Sequence, residues 1–247
     1  MLEHSIQKYH SSATCPPIGS SVITESRERR PSKLHLKDPA SAITHLIAML
    51  AAICFSPLLI ARAAGNLQSF SVTAMSVFMV SMILLYGAST LYHSLDLSEK
   101  GNLLLRRLDH SMIFVLIAGS YTPVCLLCLP HNLGLPLLGL IWGLAVVGIL
   151  VTIVLIHCPR WASSIIYIAM GWTCLLVFRP LFLVLTTGGF LWLLGGGIIY
   201  TLGGIIYGIK LKIFHHLPDG FGSHEIFHLF VMAGSICHYI FMYFYVL

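Results

Sequence analysis

The chain has 247 residues, 57% of them hydrophobic and only 9% charged, with 14 Lys and Arg against 9 Asp and Glu. So few charges cannot coat a soluble globule of this size, which excludes the water-soluble classes and assigns the chain to a bilayer. Six of the basic residues and four of the acidic ones lie in the first forty residues, so beyond them nearly every charge sits at a boundary or in a site.

Residues 1–40 are polar, with Ser, Pro and mixed charge but no apolar stripe. That composition predicts a disordered cytoplasmic tail without a cleavable signal peptide. Its small basic excess gives weak attraction to anionic lipid at most, and its mixed signs lend nothing to nucleic-acid binding. Membrane lipids are the expected partners, and no protein partner can be inferred.

Residues 41–247 form the second region. Apolar runs long enough to cross a bilayer, about 20 residues each, fall at roughly 43–62, 70–94, 109–129, 134–156, 162–185, 190–209 and 224–246. The expected fold is an all-α integral membrane protein, a bundle of seven transmembrane helices. Short punctuation such as "GNLQ" (65–68), "DLSEKGN" (96–102) and "TTGG" (186–189) separates the spans. The basic residues outside the tail cluster on alternate connections: Lys100, Arg106 and Arg107 after span two, Arg160 after span four, Lys210 and Lys212 after span six. By the positive-inside rule these connections are cytoplasmic, which puts the N-terminus inside and the C-terminus outside. The expected location is the plasma membrane, as a multi-pass protein.

Span six carries "GGG" at 195–197 and Gly204-x-x-x-Gly208, a pattern best read as close helix packing. Cys125-x-x-Cys128 lies in an apolar helix without a second pair, so buried free thiols are the expectation.

The ionisable residues that remain are costly in lipid and so are functional candidates. His93 ends span two, Asp109 opens span three, and His224 and His228 open span seven. On this topology all four lie at similar depth on the cytoplasmic side. His224 and His228 are four residues apart on one helix face, about 6 Å along the axis, so both imidazoles can serve one ion. A nitrogen from His93 completes a three-histidine set and leaves a fourth tetrahedral position for water, the arrangement of catalytic zinc sites. Ser89 lies one turn before His93. Asp109 could take a proton from the metal's water, orient it, or ligate directly. His110 is turned about 100° from Asp109 and is a weaker candidate. His45, His131, His157, His215 and His216 read as boundary histidines solvated at the interface, and His238, deep in span seven, as a structural hydrogen-bonding residue.

His224-Glu225-Ile226-Phe227-His228 also spells H-E-x-x-H, the zinc-protease signature in which Glu is the base. Two acids therefore compete for the proton-transfer role, with Asp109 the favoured one.

Ser89-x-x-x-His93, "LDHSMIFVLIAGSYTP" at 108–123, and His224-x-x-x-His228 followed by "LFVMAGSICHY" resemble hemolysin III-type membrane proteins, within the progestin and adipoQ receptor family that includes the adiponectin receptors. The resemblance covers about residues 41–247. It implies a seven-helix fold in which zinc is held by His93, His224 and His228, Asp109 contacts the zinc-bound water, and Ser89 lies near the site. It also implies ceramidase-like hydrolysis of lipid amides, and the bacterial branch takes its name from haemolytic activity. The short core and the "LDH" form of the third-span motif look like that bacterial branch.

Three functions follow: an intramembrane zinc hydrolase of lipid amides or esters using Asp109, a membrane-perturbing haemolysin with structural zinc, and a lipid-sensing receptor. A conducting path should show polar residues on successive turns, and spans one, four and five show few. A short outer face leaves a receptor little surface for a protein ligand. An intramembrane protease is the reading that H-E-x-x-H alone would favour.

Overall fold

In a computed structural model, which describes residues 36–154, 159–209 and 222–247, the first apolar run becomes α1 (Pro39–Ala64). It starts on a proline, whose missing N–H would have had no helical partner at that position. α2 runs from Ser71 to Ser94. α3 (Glu99–Pro123) is capped by the Ser98 hydroxyl, which accepts from the Gly101 N–H at 3.3 Å, and Glu99 places a negative charge in its first turn. A π-helical turn, Val124–Cys128, continues the same span. Asp109 therefore lies in the third turn of a longer helix, not at its opening as the apolar run suggests. The polar stretch Glu99–Leu108 is helical, capped at its start by Ser98.

α4 covers His131–Val154. The fifth span is broken: α5 (Arg160–Gly171) passes through a 3₁₀ segment, Trp172–Val177, into α6 (Phe178–Val184). Backbone groups freed by such a break must be satisfied inside the protein. Tyr121 of α3 does so, its hydroxyl donating to the Gly171 carbonyl at 2.6 Å and accepting from the Cys174 N–H at 2.8 Å. α7 spans Thr187–Ile209, and α8 (Ser223–Phe241) ends in a second π-helical turn, Met242–Val246.

Seven helices among the described residues are long and apolar enough to cross a membrane. α1 packs on α2 and α8, α2 on α3, α3 on α5, α5 on α7 and α7 on α8, so six helices close a ring and α4 lies outside it against α3. α2 and α3 are the most enclosed, with 56% of their apolar windows buried against 17 to 33% for the other spans. Side chains such as Leu58, Val147, Leu176 and Leu183 are exposed on the outer face, an all-round apolarity that fits lipid. The protein is thus a multi-pass membrane protein.

Glycine permits the closest approaches. A methyl group at Gly119 of α3 would overlap the Ser81 side chain of α2, and one at Gly196 of α7 would overlap the His238 ring of α8. Gly195 and Gly197 face open space, so only the middle residue of "GGG" serves helix packing.

Candidate metal centre

Three helix ends meet where α1 begins. α2 delivers His93 in its last turn and α8 delivers His224 and His228 from its first two turns. Nε2 of His93 and Nε2 of His224 face one another at 3.0 Å, and one nitrogen from each of the three histidines lies within 4.8 Å of the others. Two nitrogens bound tetrahedrally at about 2.0–2.1 Å from one zinc ion stand roughly 3.3 Å apart. The three therefore fit a metal with small adjustment. His93 and His228 are buried and His224 is half-buried.

The centre has neighbours that the apolar pattern concealed. Asp38, the residue before α1, accepts a hydrogen bond from His93 Nδ1–H at 2.9 Å and donates its own backbone N–H to the His93 carbonyl at 2.9 Å. With the proton on Nδ1, the Nε2 lone pair is the one turned toward His224. His45, two turns into α1, is only 3% exposed, and its ring stacks on His228 with centroids 3.7 Å apart and planes 7° from parallel. The reading of His45 as a solvated interface histidine is overturned by that burial. His131 is exposed, as expected, while His157, His215 and His216 lie outside the described residues.

Glu225 is turned to other work. Its Oε2 accepts from the Gly222 N–H at 2.7 Å, closing the first turn of α8, and its Oε1 accepts from the Ser41 hydroxyl at 2.9 Å. Both oxygens are engaged in holding helix ends.

Asp109 is buried, and its Oδ2 lies 3.4 Å from Nδ1 of His110. Adjacent residues on a helix diverge by 100°, yet these two side chains bend toward one another, so His110 belongs to the surroundings of Asp109. Ser89 is 1% exposed, and its hydroxyl has no hydrogen-bond partner among the described residues. Asp109, His110 and Ser89, with His45, His224 and His228, line one end of a cavity of about 190 Å³. Its wall follows α3 from Asp109 to Val124, about 22 Å of helix, and extends past Leu181, Phe190 and Leu193. Most of that wall is aliphatic or aromatic. His238 reaches the cavity from α8 and packs edge-on to Tyr200, centroids 5.3 Å apart. Cys125 is a buried free thiol and Cys128 a half-buried one.

Asp38 and His45 had a signal in the sequence. Asp38-Pro39 has the form of a helix start, and Asp38, Ser41 and His45 follow the three- and four-residue spacing of one helix face.

A family model described as "Haemolysin-III related" matches residues 34–239. "Hemolysin-3" from Bacillus cereus is 41% identical over 210 residues, 84% of this chain and 91% of that protein. "Hemolysin-3 homolog" from Bacillus subtilis (strain 168) is 39% identical over 206 residues, 83% of this chain and 92% of its own length. A match of that extent, on a seven-helix membrane fold with three histidines converging, shows that the chain belongs to the haemolysin III family.

Proposed function

We propose that the protein is an intramembrane zinc hydrolase of lipid amides or esters, with His93, His224 and His228 as the ligands. The observation that carries this reading is the junction of a three-nitrogen cluster with a long apolar cavity at one depth. A lipid's acyl chain would occupy the apolar length, and its carbonyl would lie at the polar end. Zinc bound there supplies Lewis acidity, polarising a carbonyl and acidifying water. Asp109, buried on the cavity wall with His110 Nδ1 3.4 Å from its Oδ2, is the proton acceptor. The unpartnered Ser89 hydroxyl is free to hydrogen-bond the substrate's polar head. Glu225 is disfavoured as base because helix-end hydrogen bonds engage both of its oxygens. The decisive test is metal content of the purified protein together with fatty-acid release from a panel of lipid amides. One zinc per chain and chelator-sensitive release support the reading, and release that is indifferent to chelation rejects it.

The site end of the bundle faces the cytoplasm of the plasma membrane. Among the described residues, Lys37, Lys100, Arg106, Arg107 and Arg160 sit at that end and only Arg62 and Arg179 at the other, the asymmetry that the positive-inside rule turns into an orientation. Accessibility labelling of single cysteines near residue 37 and after Leu247 should find them on opposite sides, the first inside. Labelling from one side alone would remove this topology.

The name of the Bacillus cereus relative motivates a second reading, lysis of target membranes. The mostly apolar cavity wall argues against a conducting path. Haemolysis that persists in a His93→Ala, His224→Ala double variant would favour it.

A further inference from the structure

The first two turns of α1 touch the candidate ligands from outside the metal set. Asp38 binds His93 through side chain and backbone, Ser41 binds Glu225 next to His224, and His45 lies flat against His228. These three residues share one helix face; Asp38 and His45 each meet a different histidine, and Ser41 meets Glu225 beside His224. We propose that Asp38 and His45 are positioning residues for the metal centre, Asp38 by fixing the tautomer and aim of His93 and His45 by fixing the ring plane of His228.

The chemistry of each contact decides its role. The carboxylate of Asp38 can only accept, so it selects the Nδ1–H form of His93 and leaves Nε2 as the donor atom. The second bond, from the Asp38 N–H to the His93 carbonyl, ties the start of α1 to the end of α2. The carboxylate is thus held where the ring needs it. His45 is close enough to be mistaken for a fourth ligand, but an imidazole lone pair lies in the plane of its ring. Its plane is nearly parallel to that of His228 and one ring thickness away, so lone pairs from the two rings run side by side and do not converge on one ion. The stack instead prevents His228 from tipping about its Cβ–Cγ bond.

This inference rests on the three-histidine metal reading, so its test includes a measurement that needs no metal. In full-length, metal-free protein in detergent, ¹⁵N spectra of labelled histidine rings should show His93 as the Nδ1–H tautomer in the wild type. In Asp38→Ala they should show a mixture or the Nε2–H form, with His93→Gln variants providing the assignment. Chelator competition should then find zinc affinity about 10- to 100-fold weaker in Asp38→Ala. Asp38→Asn should lie between, since its amide oxygen still accepts the bond without the charge. His45→Ala should weaken zinc by about two- to tenfold without changing the His93 tautomer, and His45→Phe should restore affinity to near that of the wild type. Cobalt substitution should show a shifted ligand-field spectrum in Asp38→Ala. An Nε2–H tautomer at His93 in the wild type, or zinc affinity within twofold of wild type in both alanine variants, overturns the proposal. If the wild type holds no metal while His93 shows the Asp38-dependent tautomer, the hydrolase reading fails and the Asp38 contact stands. If Asp38→Ala does not fold, Asp38→Asn and the wild-type tautomer decide.

Discussion

The two ends of the bundle are built from different chemistry. Where α1, α3 and α8 begin and α2 ends, the structure gathers Asp38, Asp96, Glu99, Asp109 and Glu225, every acidic residue among those described. Hydrogen bonds run between helices there, from His93 to Asp38 and from Ser41 to Glu225. At the other end the cavity is lined by Phe178, Leu181 and Phe190, whose two phenylalanine rings meet edge to face at 5.7 Å. Arg62 there lies over the Tyr243 ring, 4.8 Å from its centroid, a typical interfacial contact. Polar groups are expensive at membrane depth unless paired, and the fold gathers its carboxylates and the histidine cluster at one end while the rest of the cavity wall is mostly apolar. On the proposed hydrolase reading, one end should govern whether a reaction occurs, and the other which acyl chain fits.

The sharpest separation is expected from the ligands. His93→Ala, His224→Ala and His228→Ala should each strip most of the zinc, because two protein ligands hold a tetrahedral metal far more weakly than three. The exposed His131→Ala should keep full occupancy, as measured by elemental analysis. Full zinc in His93→Ala would remove α2 from the site and blur the distinction between the ends.

A smaller, graded effect is expected at the apolar end. Leu181→Trp should shorten the cavity without disturbing zinc, lowering apparent affinity by about fourfold for each methylene it excludes. Release measured over a series of acyl lengths should show the optimum moving to shorter chains. An unchanged optimum would mean that the acyl chain does not reach Leu181.

The smallest effect belongs to the tie between α1 and α8. Ser41→Ala removes a hydrogen bond to a carboxylate and should destabilise the protein by about 1–3 kcal/mol, seen as a lower midpoint in detergent unfolding. Zinc content should barely change, because Glu225 keeps its bond to the Gly222 N–H. Complete zinc loss in this variant would give Glu225 a direct role at the metal.

The sequence and the structure agree on the spans because lipid imposes one demand, length of apolar helix. The second span, read at 70–94, is Ser71–Ser94, and the seventh, read at 224–246, runs from Ser223 to Val246. Agreement fails where a helix leaves the apolar core: the ten residues from Glu99 to Leu108 are a capped helical extension of the third span, which a search for apolar runs passes over. The three histidines were legible because helix spacing and topology alone bring His93, His224 and His228 to one depth. Asp38 was hidden in a polar tail, and His45 looked like one more interface histidine. Their contacts with His93 and His228 depend on how α1 packs against α2 and α8, which no local pattern encodes. Glu225 is the reverse case: H-E-x-x-H alone reads as a protease signature, and the structure gives its glutamate bonds to the Gly222 N–H and the Ser41 hydroxyl.

The proposal of Asp109, and not Glu225, as the proton acceptor of a lipid hydrolase has one comparison that tests it: lipid-amide cleavage by Asp109→Asn and Glu225→Gln at matched zinc content. Loss of the proton acceptor typically costs on the order of 10²–10⁴ in rate. Asp109→Asn should therefore retain zinc and fold while losing nearly all release, and Glu225→Gln should stay close to wild type. An inactive Glu225→Gln beside an active Asp109→Asn would contradict the assignment.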